Sequence, residues 1–307
     1  MNLPEGYAAR AASLADLDDV VALIKACDLA DVGFEDPVRD HLEQGWRRPD
    51  YDLDADTRLL VAADGKVVAY AEAHGDNPEL SVESVAVVHP AHRGRGLGSA
   101  LVGWIEARAA ELAPAGSGTK LRNMVAATDE RGQTLLAGRG YVPVRTFWHM
   151  ERALDEPVED APIPVGITVR DYRADDAEPL FLALEEAFAD HWGAEPFPRE
   201  VFMQWMEQVD PELVGVALED AEIAGACIAR TVEGSGWVDV VAVRRPWRGR
   251  GLAKALLLRS FAELQRRGVW SVMLNVDAEN VTGATRLYER VGMHVHREWR
   301  LFEKPVR

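Results

Sequence analysis

Residues 240–258 read Val-Val-Ala-Val-Arg-Arg-Pro-Trp-Arg-Gly-Arg-Gly-Leu-Ala-Lys-Ala-Leu-Leu-Leu, and this stretch decides the fold. It begins as an apolar, β-branched strand, turns through a basic loop at 248–251 and continues as an amphipathic helix over 252–267. Glycines let the loop backbone approach a ligand closely, and a helix start presents free N–H groups with a partial positive charge. The pattern predicts a site for a phosphate or pyrophosphate, to which Arg248 and Arg250 add full charges.

The same pattern occurs earlier, where residues 86–101 read Ala-Val-Val-His-Pro-Ala-His-Arg-Gly-Arg-Gly-Leu-Gly-Ser-Ala-Leu. From Arg93 to Arg248 the offset is 155 residues, about half of the 307-residue chain. A repeat at this spacing predicts one domain written twice.

A segment rich in proline and acidic residues, 154–166, lies between the two copies and is predicted to be a linker. The expected domains are therefore 1–153 and 167–307. In each, hydrophobic periodicity predicts a strand, two helices, a hairpin, a central strand, the basic loop, a long helix, a strand, a short helix and a closing strand. The closing strand of the first half is expected at 144–152, and the final hairpin strands of the second half are expected at 295–304.

The bulk composition is that of a globular chain. Hydrophobic residues make up 48% and charged residues 28%, and no apolar run reaches the length of a membrane span. The N-terminus lacks a basic region followed by an apolar core, so we expect no signal peptide and a cytoplasmic location. The formal net charge of −17 argues against nucleic acid and anionic membranes as partners.

No metal site is expected. Cys27 and Cys227 lie one in each half, with neither zinc-ligand spacing nor a disulfide framework, and are predicted to be reduced core residues. The acidic stretch 49–56 lacks the glycine and the closing glutamate of a calcium loop, so it is predicted to be a solvated loop.

Two loop motifs and a later signature carry a family resemblance. Residues 93–98, Arg-Gly-Arg-Gly-Leu-Gly, and 248–253, Arg-Gly-Arg-Gly-Leu-Ala, each match Arg/Gln-x-x-Gly-x-Gly/Ala, the pyrophosphate loop of the GNAT superfamily of acyl-CoA-dependent N-acetyltransferases. Residues 280–293 match the family's later Asn…Leu-Tyr…Gly-Phe signature, with Asn280, Leu287-Tyr288 and Gly292-Met293. The sequence resembles GNAT enzymes over nearly its whole length, in the tandem form of the mycothiol synthases.

The resemblance implies an α+β (mixed α/β) fold. It consists of two tandem GNAT domains, each a mixed, mostly antiparallel sheet flanked by helices, with splayed central strands. Other phosphate-binding folds match less well, because Ser99 and Lys254 stand where a Rossmann loop needs its third glycine, and the sequence contains no Walker loop.

In GNAT enzymes acetyl-CoA lies in the gap between the splayed strands, so the resemblance implies acetyl-CoA as the cosubstrate. Main-chain groups around Val241 and Val243 are implied to hold the acetyl carbonyl and the pantetheine arm. The implied cofactor-binding residues of the second half also include Asn280, Arg248, Gly249, Arg250, Gly251, Leu252 and Ala253. Those of the first half are Val88, Arg93, Gly94, Arg95, Gly96 and Gly98.

Acetyl transfer to an amine poses two proton-transfer problems. An amine with the pKa of lysine arrives as ammonium, and deprotonating it at pH 7 costs about 4 kcal/mol. The departing CoA thiolate also needs a proton. By its place in the Leu-Tyr signature, Tyr288 resembles the family's general acid, and a phenol with a pKa of about 10 is protonated at pH 7. The alternative is a core tyrosine.

Asp239 is the leading candidate for the base, acting directly or through water. It lies two residues before Val241, and the period of a strand puts both side chains on one face, which in this family faces the acetyl group and the acceptor. An acid within an apolar strand is costly to bury unless it has a task or a partner. A structural salt bridge and an anchor for the acceptor are the open alternatives.

The acceptor is expected over the first two helices of the second half. The candidate substrate-binding residues there are Asp190, His191, Trp192 and Glu195. Asp190 or Glu195 can bind an amine, Trp192 can form an apolar wall, and His191 is an alternative base. The competing interpretation makes Trp192 a core residue and Asp190 a helix cap.

The first half departs from the family pattern. At the 155-residue offset Ser84 replaces Asp239. The register near Tyr288 is ambiguous by one residue, giving Leu136 or Ala137 as its counterpart, and neither side chain can donate a proton.

Asn280 corresponds to Thr128 or Asp129 in the same uncertain register. The first half thus keeps the loop but lacks the acid and the base, so we predict that it is non-catalytic and either binds CoA or serves structure. We predict that the second half transfers an acetyl group from acetyl-CoA to the primary amine of a small molecule, by direct attack in a ternary complex.

Three alternatives stay open. They are a mycothiol synthase, a protein-lysine acetyltransferase, whose basic substrate an acidic surface suits, and a non-catalytic acyl-CoA-binding regulatory protein, which needs neither Tyr288 nor Asp239. The expected partner is a small-molecule amine. The chain is expected to be a monomer with pseudo-twofold halves or a homodimer.

Overall fold

The computed structural model describes residues 1, 3–35, 38–75, 77–189, 191–192, 198–280 and 282–306. The chain divides into two compact units. The first comprises Met1–Phe147 together with Arg297–Arg307, and the second comprises Trp148–His296.

The first half of the sequence follows the predicted order of elements. Its strands are β1 (Tyr7–Arg10), β2 (Thr57–Ala62), β3 (Val67–His74), β4 (Ser81–Val88), β5 (Lys120–Ala126) and β6 (Val142–Ala153). Its helices are α1 (Leu17–Asp31), α2 (Arg39–Trp46), α3 (Leu53–Asp56), α4 (Leu97–Leu112) and α5 (Glu130–Gly138).

The second half repeats the order. Its strands are β7 (Thr168–Asp171), β8 (Val214–Glu219), β9 (Glu222–Val232), β10 (Ser235–Val243), β11 (Ser271–Asp277) and β12 (His294–Pro305). Its helices are α6 (Ala177–Phe188), α7 (Arg199–Met206), α8 (Leu252–Arg266) and α9 (Ala284–Arg290).

The two units have equivalent strand orders, but each takes its last strand from the other half of the sequence. The order is β1-β2-β3-β4-β5-β12 in the first unit and β7-β8-β9-β10-β11-β6 in the second. β12 runs antiparallel to β5, from Trp299 opposite Ala126 to Pro305 opposite Lys120. The compact units therefore differ from the expected domains, 1–153 and 167–307, at these closing strands.

Main-chain pairing explains why the exchange is possible. The open edge of β5 or β11 presents N–H and C=O groups that pair with any strand of suitable length. Because β6 and β12 are equivalent members of a repeat, either can close either sheet, as in domain swapping.

In the second unit helices cover both faces of the sheet. On the α8 face, α8 and α9 pack on the sheet around Phe261, Leu264 and Val272. On the α6 face, α6 and α7 pack around Leu180 and Phe202. Full burial of each such side chain contributes about 1.5–3 kcal/mol, so the amphipathic helices hold the sheet between them.

The first unit is layered in the same way. On the α4 face, α4 packs on the sheet through Leu97, Leu101 and Ile105. On the α1 face, α1 and α2 pack through Val20 and Trp46. The predicted mixed α/β fold, with helices flanking a mixed sheet, is confirmed in both units.

The parallel pair at the centre of each sheet separates partway along. The last parallel pair is Ser84 opposite Asn123 in the first unit and Val238 opposite Leu274 in the second. Both central strands, β4 and β10, continue beyond that point. Within the described residues the facing edges past the separation have no ladder partner, so they are open to hydrogen bonds from a ligand.

The acidic stretch 49–56 differs from the solvated loop expected. It contains α3, whose N-cap Asp52 accepts the N–H groups of Asp54 and Ala55. Asp56 is 4% exposed and lies 2.8 Å from the guanidinium of Arg108. Its partner comes from α4, so the local sequence gives no sign that this acid is buried.

Each unit begins with the same ion pair. Arg10 donates to both oxygens of Asp16 at 2.8 and 2.5 Å, and Arg170 donates to both oxygens of Asp176 at 2.6 and 2.7 Å. Each aspartate also accepts the main-chain N–H of the residue three positions earlier. The hydrogen bonds from Arg10 lower the pKa of Asp16 to about 2.

Cys27 and Cys227 are buried free thiols. Burial raises the pKa of Cys27 to about 11 and that of Cys227 to about 12, so both stay protonated at neutral pH. A search of the described helices finds none with the length and apolar character needed to cross a membrane.

Candidate active site

The two phosphate loops have the same main-chain geometry. Gly94 and Gly96 have φ values of +75° and +84°, and Gly249 and Gly251 have +76° and +87°. These left-handed values favour glycine strongly. Gly96 is the N-cap of α4 and Gly251 is the N-cap of α8, so each loop delivers the chain into a long helix.

Both loops leave a row of main-chain donors open. Within the described part of the chain, the N–H groups of residues 94–99 and 249–254 have no hydrogen-bond acceptor. These donors converge at a helix start, where the macrodipole adds a partial positive charge. Each loop can therefore hold a pyrophosphate of the kind that CoA carries.

The first arginine of each loop contacts the protein itself. Arg93 donates to the Val88 carbonyl at 3.1 Å and to both oxygens of Asp31 at 2.5 and 2.8 Å. Arg248 donates to the Val243 carbonyl at 3.0 Å and to a carbonyl at the C-terminal end of α6, also at 3.0 Å. Both side chains thus brace the loop against the preceding strand and the unit's first long helix.

The second arginine of each loop also has protein partners. Arg95 donates to the Tyr7 hydroxyl at 2.9 Å, and Arg250 lies 3.1 Å from the carboxylate of Glu219. The full positive charges expected of the loops are therefore partly neutralised by neighbouring acids. The main-chain amides are the donors left open for a ligand.

β10 carries a β-bulge at Asp239. Val238 lies opposite Ala229 of β9 and Val240 lies opposite Ile228, so Asp239 is an extra residue in the ladder. The bulge falls where β10 leaves β11. Bulges re-aim side chains and interrupt pairing, often beside active sites.

The bulge changes the face on which Asp239 lies. Val241 packs in the α8-face cluster and Val240 in the α6-face cluster. Asp239 lies 3.0 Å from Nε of Arg230, which follows Ala229 of the α8-face cluster and so lies on the α6 face. The expectation that Asp239 and Val241 share a face is wrong, because the inserted residue breaks the period of two.

The carboxylate of Asp239 is sheltered while its main chain is open. The side chain is 20% exposed, yet the residue as a whole is exposed, so the exposure belongs to its backbone at the splay. Ser84 in β4 differs: it lies in a regular ladder opposite Ala73, is 4% exposed and donates to the Arg122 carbonyl at 2.7 Å.

Tyr288 lies in α9, is 7% exposed and belongs to the same α8-face cluster as Val241 and Val243. Burial, with a smaller contribution from the Cys227 thiol, raises the pKa of Tyr288. Its hydroxyl makes no hydrogen bond to any described residue. A protonated phenol whose O–H has no acceptor among the described residues is thus available on the α8 face of β10.

Hydrogen bonds at the helix ends resolve which residue of the first unit matches Tyr288. The N–H of Met293 donates to the Tyr288 carbonyl at 3.0 Å, and that of Tyr141 donates to the Leu136 carbonyl at 3.1 Å. The counterpart is therefore Leu136, not Ala137. Leu136 is 2% exposed and cannot donate a proton.

The same comparison resolves Asn280. Its N–H donates to the carbonyl of the last residue of β11 at 3.0 Å, as that of Asp129 does to the last residue of β5 at 2.9 Å. Asp129 rather than Thr128 is thus the counterpart. The Asn280 side chain accepts the N–H of Thr282 at 2.8 Å, and so shapes the turn into α9.

Polar residues that the sequence reading missed lie on the α6 face of the second unit, beside the splay. The rings of His149 and Trp237 are 5.5 Å apart, edge to face. Asn275, exposed, follows the last parallel pair of β11. Nδ1 of His296 lies 3.1 Å from the carboxylate of Glu151. The sequence signal that could have revealed these residues is a polar residue within a buried strand, as at Asn275.

Two of the four candidate acceptor residues, His191 and Trp192, lie just after the end of α6. His191 packs its ring on Phe188 at 4.7 Å, and Trp192 is 38% exposed, so it is not a core residue. Asp190 and Glu195 lie outside the described residues. α6 covers the face on which Asp239 lies.

Known proteins match this chain along most of its length. Residues 24–131 and 177–293 each match the model of the Acetyltransferase (GNAT) family. The chain therefore belongs to this family, whose acyl donor is an acyl-CoA, and is an acyltransferase. The predicted tandem of two GNAT domains is confirmed.

Individual relatives match nearly the whole chain. The mycothiol acetyltransferase of Thermobispora bispora is 34% identical over 294 residues, covering 90% of this chain and 92% of that protein. The one from Salinispora arenicola is 32% identical over 310 residues, covering 95% of this chain and 96% of that protein.

Solved structures agree. The crystal structure of a GCN5-related N-acetyltransferase from Sphaerobacter thermophilus has a TM-score of 0.89 at 37% identity, covering 100% of this chain and 98% of that chain. A tandem GNAT protein from the clavulanic acid biosynthesis pathway has a TM-score of 0.74 at 19% identity, covering 98% and 99%, and shares the fold. In the part of this chain that is described, no group of three His, Cys, Asp or Glu is arranged to hold a metal.

Proposed function

We propose that the protein transfers the acetyl group of acetyl-CoA to the primary amine of a small molecule, and that the second unit performs the reaction. The observation that carries this proposal is a difference between the units. Both have the phosphate loop and the splayed central pair, but the second adds the bulge at Asp239 and the buried Tyr288. The first has Leu136 at the position of Tyr288.

Acetyl-CoA binds along the splay of the second unit. Its pyrophosphate accepts hydrogen bonds from the N–H groups of residues 249–254, which have no other acceptor among the described residues. Its pantetheine arm runs between β10 and β11, where the edge of β10 that faces β11, around Val241 and Val243, has no ladder partner within the described chain. Asn280 positions the adjoining turn.

The amine attacks the thioester directly. The nitrogen lone pair forms a bond to the carbonyl carbon, and the C–S bond of the resulting tetrahedral intermediate then breaks. The sulfur leaves as a thiolate and takes the proton of the Tyr288 hydroxyl. The nitrogen releases a proton as it becomes an amide, and the tyrosinate takes up that proton. Tyr288 thereby returns to its starting state.

Asp239 receives the proton of the incoming ammonium, directly or through water, and releases it to solvent before the next turnover. Its carboxylate lies on the α6 face, the face with the candidate acceptor residues His191 and Trp192. Arg230, at 3.0 Å, fixes the orientation of the carboxylate. This role accounts for an acid placed at the bulge beside the open edge of the strand.

The acceptor is a polar small molecule. The α6 face beside the splay offers Asn275, His149 and the His296–Glu151 pair, which suit hydroxyl and amine groups. Relatives named mycothiol acetyltransferase cover 90% or more of this chain at 34% and 32% identity, and this favours a mycothiol-type amine as the finer candidate. The first unit serves as a CoA-binding or structural partner.

The test is release of CoA thiol from acetyl-CoA across a panel of amines. The panel contains the cysteinyl pseudodisaccharide amine, simple aminosugars, polyamines and a lysine peptide. We expect turnover with a small-molecule amine and the highest kcat/KM with the pseudodisaccharide. Turnover with the lysine peptide alone, or CoA binding without turnover on any amine, contradicts the proposal.

A further inference from the structure

The outer face of α9 carries two arginines that the reaction above does not use. Arg286 and Arg290 lie one helical turn apart and line an open depression of about 280 Å³ with Thr282 and Gly283. Neither guanidinium forms an ion pair or hydrogen bond with a described residue. In a chain with a net charge of −17, two neighbouring cations left without acidic partners form a local site for an anion.

The helix that carries the two arginines shares a hydrophobic cluster with the start of the loop helix. The inner face of α9, through Leu287 and Tyr288, packs in the same cluster as Leu252, the first residue of α8. The equivalent contact in the first unit is close: Leu135 lies 3.3 Å from where a Cβ on Gly98 would stand. The N-terminal turn of the loop helix therefore adjoins the short helix whose outer face carries the arginines.

We propose that Arg286 and Arg290 bind the 3′-phosphate of CoA, an inference that rests on the proposed function. A pyrophosphate held by the loop sits on the same ribose as this 3′-phosphate, so a second anionic group emerges beside the loop. Two guanidinium groups on one helix face can share the oxygens of one phosphate. Arg286 and Arg290 thus distinguish CoA from its 3′-dephospho form.

The first unit lacks this device. With Leu136 matched to Tyr288, Thr134 stands at the position of Arg286 and Gly138 at that of Arg290. The first loop is therefore expected to bind CoA and dephospho-CoA alike.

The experiment measures Kd by calorimetry for CoA and 3′-dephospho-CoA on the full chain. The binding event of the second unit is identified as the one that Gly251→Val removes. For that event we expect CoA to bind about tenfold tighter than dephospho-CoA at low salt, because two exposed charge contacts each contribute up to about 1 kcal/mol. The preference weakens at high salt.

Arg286→Ala and Arg290→Ala are each expected to reduce the preference for CoA over dephospho-CoA to about threefold. The double variant abolishes this preference, and Arg286→Lys keeps most of it. Arg173→Ala, which removes an exposed arginine elsewhere in the second unit, is the matched control and leaves it unchanged. Equal binding of both ligands by the wild type, or a preference that survives the double variant, overturns the inference while the proposed function stands. A titration with inorganic phosphate tests for a general anion site. If the double variant loses phosphate binding but keeps its preference for CoA, the inference is also overturned. Absence of any CoA binding contradicts the proposed function itself.

Discussion

The loops at residues 93–98 and 248–253 have matching glycine conformations, yet the strands and helices around them differ. Both place glycines at φ values between +75° and +87° and both leave main-chain amides open at a helix start. β4 is regular at the position where β10 carries its bulge, and the first unit has Leu136 at the position equivalent to Tyr288 of the second. The loop conformation is therefore a property of the local chain, whereas the proposed acetyl transfer depends on groups from a bulge and a second helix.

The largest effect is expected from disabling each loop in turn. Gly251→Val lowers kcat/KM for acetyl-CoA by at least about 100-fold, because it strains a left-handed residue and displaces several charge-assisted hydrogen bonds worth about 1.5–3 kcal/mol each. Gly96→Val, the matched change in the first unit, leaves kcat within about threefold. Steady-state thiol release measures both, with circular dichroism as the folding control. Equal losses in the two variants contradict the division of labour.

Tyr288→Phe sharpens the comparison at the acid. We expect kcat to fall about 100-fold with little change in KM, because the thiolate loses its proton donor. Tyr141→Phe is the control: it removes another buried hydroxyl that has no hydrogen-bond partner among the described residues, but in the first unit. Rates are compared by thiol release, and full turnover by Tyr288→Phe removes tyrosine from the mechanism.

Asp239→Asn tests the bulge. We expect kcat to fall by about 10–100-fold, because an amide cannot accept the amine proton. Ser84→Ala, its counterpart by sequence offset, is expected to leave the rate unchanged. Should Asp239→Asn lower only the melting temperature and not kcat, the ion pair with Arg230 is structural.

The smallest effect concerns the twin ion pairs, in which the units are alike. Asp16→Asn and Asp176→Asn each lower the free energy of unfolding by about 1–3 kcal/mol at pH 7. The pKa of Asp16 is about 2 in the folded chain against 3.8 as its ordinary value, so its contribution is complete above about pH 4 and is lost as the pH falls toward 2. Scanning calorimetry against pH measures this. A wild type and an Asp16→Asn variant with the same acid sensitivity contradict the assignment.

The sequence predicted the repeat, the loops and the order of elements because each depends on local signals. Glycines at fixed spacing after an apolar strand specify the loop wherever it lies. The sequence of a strand does not specify which strand it pairs with. The exchange of β6 and β12 between the two units therefore could not be predicted from periodicity.

The active-site details depend on contacts distant in sequence. The bulge at Asp239 is invisible in Val-Asp-Val-Val, which reads as a regular strand. Arg230 pairs with Asp239 only because β9 lies beside β10, and Arg108 pairs with Asp56 only because α4 lies beside this residue. The match of Leu136 to Tyr288 required a hydrogen bond, because the turns before α5 and α9 have different lengths.

The most direct test of the central claim is a single-turnover experiment. The protein is saturated with labelled acetyl-CoA, freed of excess ligand and mixed with the amine acceptor, and bound and transferred label are counted during the first turnover. Transfer of one equivalent, whether one or two are bound, is the result predicted, since only the second unit is proposed to supply the acid and the base. Transfer of both equivalents at one rate contradicts the claim.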